Sequence, residues 1–95
     1  SMQEMVYEKK QQKLCLTNRR QIELTGVSEV ISFDQKQVVL DTDLGRMVFF
    51  GEDFHVKRLT LERGEIEIEG LVRGIDYQDA KEELSAGKFF GRLFR

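Results

Sequence analysis

Cysteine and histidine each occur once in the 95 residues, and proline does not occur at all. A single cysteine, Cys15, rules out an intrachain disulfide and makes a reducing compartment the simpler expectation. One Cys and one His cannot build a zinc site without carboxylates. No apolar run approaches the ~18 residues of a membrane-spanning helix, and no hydrophobic signal region opens the chain. Ser1 ahead of Met2 reads as a cloning remnant, which places the natural start at Met2. Glycines stand scattered at turns, with neither the GxGxxG nor the P-loop spacing that cradles phosphate. An excess of positive charge is missing too: 15 Lys and Arg face 17 Asp and Glu, for a net charge of -2. That is not the balance of a nucleic-acid binder.

What is present is enough apolar material for one core. Hydrophobic residues make up 40% of the chain, and a domain of this size buries about two thirds of its unfolded surface. From Leu14 onward the apolar residues follow period two, the pattern of half-buried strands. Leu14 and Leu16 alternate with Cys15, and Ile22 and Leu24 alternate with Gln21, Glu23 and Thr25. In "GVSEVISF", Val27, Ile31 and Phe33 share one phase and Val30 takes the other. Residues 34–36 read as a turn, Val38 and Leu40 open the next strand, and Gly45 closes it with a residue able to take positive φ. "RMVFF" is apolar on both phases, which predicts cover on both faces. Gly51 breaks that run. Beyond it Phe54 and Val56 share one phase while Leu59 and Leu61 share the other, the mark of a β-bulge. Arg63 and Gly64 turn the chain into "EIEIEG", with Ile66 and Ile68 inward and three glutamates outward. Ile75 and Tyr77 close the last strand.

Regular short strands with no helical crossover predict an all-β fold: a small antiparallel β-sandwich or partly open barrel of six or seven strands. Residues 1–11 form a polar arm, residues 12–78 the β domain, and residues 79–95 a short C-terminal amphipathic helical tail, with Asp79 as N-cap and Gly87 as stop.

Catalytic chemistry is hard to assemble from these residues. His55 lacks a recognisable nucleophile and orienting group, so it reads as a strand residue. Cys15 sits in an apolar strand, where a buried thiol is inert. Asp41 and Asp43 carry the acids of a calcium loop without its spacing or closing glutamate. Glu65, Glu67 and Glu69 lie on one strand face at about 7 Å intervals, and the expected reading is a solvated row with Lys57 or Arg58 as cross-strand partners. No cofactor or metal is expected. Outward charges of this density also discourage unwanted edge pairing.

The chain ends on "GKFFGRLFR", which holds Lys88, Arg92 and Arg95 and no acid, so the rest of the chain is acidic. On a helix at about 100° per residue, Phe89, Phe90, Leu93 and Phe94 share one face and the three cations the other. Those four apolar residues are the expected partner-binding anchors, with Lys88, Arg92 and Arg95 orienting them. The gain from burying four large side chains nearly cancels the cost of ordering nine residues, so bilayer contact by this segment alone is weak and reversible. Its candidate seats are this domain's own sheet, a protein partner or dimer mate, and a membrane surface.

Residues 22–77 resemble the YabP/YqfC family of sporulation proteins. The likeness rests on Thr25 to Val27, on Ser32 to Asp34, on Thr42 with Gly45, and on Gly51. It continues with the "L.LE.G" series from Leu59 to Gly64, and with Gly70 ahead of Tyr77. The terminal Phe-Phe, Leu-Phe and basic pattern is similar to the YabP branch. The resemblance implies a small β-sandwich-like domain without enzymatic activity, used in late spore development and spore envelope or coat assembly. It also implies a cytoplasmic place on the mother-cell side, near a sporulation membrane protein. The rival readings are a small β-barrel nucleic-acid-binding module, which needs a basic, aromatic sheet face, and a carboxylate enzyme built on Glu65, Glu67 and Glu69.

Overall fold

A computed structural model of the chain describes residues 11–79. Strand β1 (Leu14–Thr17) turns into β2 (Gln21–Leu24), and β3 (Val27–Phe33), β4 (Gln37–Thr42), β5 (Gly45–Thr60) and β6 (Glu65–Gln78) follow. Every neighbouring pair is antiparallel, and the six strands make one open sheet of order β1-β2-β6-β5-β4-β3. The all-β expectation with six strands holds. The strands form one continuous sheet, not two separate ones.

That sheet has to double over. β2 and β3 are joined only by Thr25 and Gly26, and the three Cα steps from Leu24 to Val27 reach about 11 Å at most. In a flat sheet of this order, four strand spacings, about 19 Å, would separate them. The hydrogen bonds show how the gap closes. Val27 N donates to the Gly64 carbonyl at 2.9 Å, while Val27 also lies opposite Thr42 and Thr42 opposite Gly45. Gly45 and Gly64 bracket β5, a strand of 16 residues. Were β5 straight its ends would lie about 50 Å apart; here Thr42 and Val27 alone bridge Gly45 to Gly64, the glycine of the turn that follows Thr60.

The bend falls where glycines and bulges permit it. The β5–β6 register shifts between Phe50 and Gly51, between Glu52 and His55, and between Val56 and Arg58. Bulges of this kind let a strand leave one layer and join another. The result is a first half (β1, β2, residues 55–60 of β5 and residues 65–69 of β6) facing a second half (β3, β4 and the remaining ends of β5 and β6). Asp53 inside the bend has φ 60°. At Gly70, φ +151°, an added Cβ would stand 2.6 Å from Phe54 Cδ1.

Each half sends a turn to brace the bend. Residues 18–20 close the first hairpin with positive φ at Asn18 and Arg19, the turn geometry that matches strand twist. Arg19 O accepts from Val72 N at 3.0 Å and Arg20 O from Gly70 N at 2.9 Å; the Arg19 Nε donates to Val72 O at 2.7 Å. From the other half, Lys36 O accepts from Gly51 N at 2.9 Å and Gln35 O from Phe54 N at 3.0 Å.

The core fills the space between the halves. Ile22, Leu24, Ile66 and Ile68 of the first half pack with Val27, Val38, Leu40, Met47 and Phe49 of the second, and Phe54 and Val72 fill the bend. Lys57 is the extra residue of the expected bulge, and it brings Leu59 onto the face of Val56: Val56 lies opposite Ile68 and Leu59 opposite Ile66. Three expectations change. β5 runs through Gly51 and bends there instead of ending. Two register shifts in β3 put Val30 opposite core residue Leu40 and leave Ile31 exposed. Cys15 is exposed rather than buried, because β1 is an edge strand.

Candidate interaction surfaces

The first half turns a ladder of charge outward. Cys15 lies opposite Glu23, Glu23 opposite Glu67, and Glu67 opposite Arg58. In the next row Gln21 lies opposite Glu69 and Glu69 opposite His55. Glu23 and Glu67 are like charges placed directly across a strand pair, an arrangement that costs stability when nothing answers it. Arg58 answers it: one guanidinium nitrogen is 3.2 Å from Glu65 Oε1 and its Nε is 3.7 Å from Glu67 Oε1. His55 Nε2 is 3.1 Å from Glu69 Oε1. So the glutamates have the cross-strand partner expected in Arg58, and His55 joins the row; Lys57 serves the bulge instead. Glu65 also lines an open cavity of about 260 Å³ with Lys13, Cys15, Glu23 and Arg58. Among the described residues, no three His, Cys, Asp or Glu converge as a metal site.

On the second half, Arg46 grips Asp41 with two hydrogen bonds, Nε to Oδ1 at 2.7 Å and a terminal nitrogen to Oδ2 at 3.2 Å. These bonds hold the Asp41 carboxyl below the usual carboxylate range, against the opposing pull of partial burial. The folded-state pKa is therefore the lower one. Stability from the pair is complete above the unfolded Asp value of about 3.9 and is lost as pH falls through the folded value. Both side chains are about one third exposed, so the contribution stays under about 1 kcal/mol. Asp41→Asn is expected to lower urea stability by that amount at pH 7. The gap between variant and parent should close at pH values well under the ordinary Asp range.

The outer face of the second half also carries apolar residues. Val48 lies opposite Val39 on one side and Asp76 on the other, and Phe50 lies opposite Gln37 and Gly74. Ile31 is the extra residue of a bulge beside Val39. Val48 is buried, whereas Ile31 and Phe50 are 40% and 39% exposed. The two-phase reading of "RMVFF" thus holds for Met47, Val48 and Phe49 and fails for Phe50. Glu29, Asp41 and Asp76 border this strip. Period two alone sets Ile31 on the phase of Val27 and Phe33, so the strip emerges only with the bulges of β3.

Asp79 is in coil at the end of β6 and lines a cavity of about 430 Å³ with Ser28, Asp41, Thr42, Arg46 and Gln78. The expected anchors Phe89, Phe90, Leu93 and Phe94, and the cations Lys88, Arg92 and Arg95, lie outside the described residues, as does the helix expected after Asp79. No helix among the described residues is long and apolar enough to cross a membrane.

Comparison with known proteins places this sheet. The family model for the YabP family matches residues 8–83. The chain belongs to the YabP family. It is 31% identical over 85 residues to the spore protein YabP of Bacillus subtilis (strain 168), an alignment that covers 90% of this chain and 85% of that protein. This is a YabP-like sporulation protein. The family match contains all six strands and both glycines of the bend, Gly51 and Gly70, and stops before residues 87–95.

Proposed function

We propose that the chain is a non-enzymatic assembly module of late spore development, acting in formation of the spore envelope or coat. In this reading the doubled sheet is a rigid carrier, and residues 87–95 engage a protein partner. Phe89, Phe90, Leu93 and Phe94 insert as apolar anchors, while Lys88, Arg92 and Arg95 set their orientation. The partner is a sporulation membrane protein reached from the cytoplasm of the mother cell, with weak contact to the bilayer surface as a secondary aid. A dimer mate is the other protein candidate.

One observation carries the reading. Among the described residues, the two facing halves of the sheet supply both walls of a core that runs from residue 22 to residue 72, and in this reading the three phenylalanines and the leucine after the last strand are additional to it. Charge points the same way. Residues 11–79 hold nine Lys and Arg against thirteen Asp and Glu, whereas residues 87–95 hold three cations and no acid. The acidic outer ladder also has the wrong sign for a nucleic-acid surface. Localisation in sporulating cells tests the reading. A fluorescent fusion of the chain cut after Ala86 is expected to lose the localisation of the full chain while accumulating to the same level. Retained localisation would remove the recruiting role from the segment.

A further inference from the structure

We propose that the outer face of the second half, the strip of Ile31, Val39, Val48 and Phe50, is the resting seat of residues 87–95 of the same chain. The inference rests on the reading above that this segment seeks apolar cover, and it adds where that cover lies before a partner is met.

The first support is the chemistry of the strip. Four apolar side chains from three adjacent strands meet on a face that ordinarily points to water, and two of them stay about 40% exposed. Exposed Glu29 and Asp76 flank them; Arg46 at one end is engaged by Asp41, and at the Phe50 end Arg73, beside Gly74, is engaged by Glu52, while Lys36 stands beside Gln37. An apolar strip rimmed by carboxylates fits a segment whose rings and cations alternate. Phe89, Phe90, Leu93 and Phe94 match the strip; Lys88, Arg92 and Arg95 match the rim. By contrast, the exposed apolar residues of the first half, Leu14 and Leu16 on β1 and Val56 and Leu59 on β5, sit at opposite edges of that half, since β1 pairs with β2 and residues 55–60 of β5 pair with β6.

The second support is where the described chain ends. Gln78 lies opposite Arg46 on this same face, so the chain leaves β6 beside Asp41 and Arg46. Val48 is two residues from Arg46 along β5 and Phe50 four, about 7 and 14 Å. Ten Cα steps lead from Asp79 to Phe89, enough for about 15 Å as helix and about 33 Å extended. Either conformation reaches the strip without strain. Tethering of this kind makes the chain's own segment the first occupant, because its effective concentration at the seat is high.

Limited trypsinolysis of the full chain tests the proposal, with cleavage after Arg92 followed by mass spectrometry. Cleavage of a seated segment tracks its open population. Phe50→Glu, Ile31→Glu and Phe90→Ser are each expected to speed that cleavage about tenfold, at every protein concentration, while Leu59→Glu on the first half leaves it unchanged. Slow cleavage after Arg58 verifies that the sheet of each variant is intact. Equal rates in parent and all three variants would overturn the seat. Protection that appears only as protein concentration rises would also overturn it, by giving the seat to a second copy. Localisation of the Ala86 truncation is scored separately, so loss of the seat and loss of recruitment are told apart.

Discussion

Gly51→Ala is expected to lower the free energy of unfolding by more than about 3 kcal/mol, the upper range for forcing extra volume into a packed site. The methyl carbon would stand 1.9 Å from the Leu71 carbonyl oxygen and 2.6 Å from Phe54 Cζ. Phe54 is a core ring held between the two halves, and Leu71 O belongs to the backbone of the partner strand, so neither yields cheaply. Gly51 N also donates to Lys36 O at 2.9 Å, which fixes the backbone from the other side. The cost is steric, since no positive φ is involved at this residue. Gly74→Ala provides the contrast. Its new methyl group would meet only Phe50 Cδ2, at an ordinary 3.8 Å, and its effect should stay within about 0.5 kcal/mol. Urea denaturation of the two variants side by side reads the difference.

Phe49→Ala should be as damaging for the opposite reason. Phe49 is fully buried and, with Phe54, is one of the two phenylalanines of the core. Both halves of the sheet contact that core, so the hole cannot close by a local shift, and about 3–5 kcal/mol is expected. The neighbouring residue separates burial from composition. Phe50 has the same side chain, one step along the same strand, but points to the outer face and keeps 39% of its exposure. Phe50→Ala should cost about 1 kcal/mol by lost apolar burial alone. Against the total of about 5–15 kcal/mol typical of a small domain, either of the two large losses threatens the folded state at physiological temperature.

Much of the strand pattern was legible because it is local. Ile66 and Ile68 against Glu65, Glu67 and Glu69 is strict alternation, and the structure keeps it. The slip between Val56 and Leu59 announced a bulge, which occurs at Lys57. Arg58 as partner of the glutamate row followed from cross-strand charge. What failed depends on long-range geometry. Nothing near Gly51 in sequence says whether a strand ends or bends there; that is decided by Leu71 and by the turn at residues 34–36. Ile31 and Val30 exchanged faces because β3 is an edge strand whose two bulges reset the phase. Cys15 alternates with two leucines as a core-strand residue would, yet lies exposed at the sheet's other edge. The candidate site was only half legible. The aromatic and basic character of residues 87–95 is plain in the sequence, whereas the apolar strip beside Asp76 exists only once β3, β4 and β5 are aligned.

In the proposed function the doubled sheet closes its own core and leaves the C-terminal rings for use elsewhere. Equilibrium urea unfolding of the chain cut after Ala86 tests it most directly. One cooperative transition is expected, with a slope close to that of the full chain and a midpoint lowered only modestly by loss of the outer seat. A broad, non-cooperative transition, or a truncated chain that never folds, would mean that the rings belong to the core and would contradict the claim.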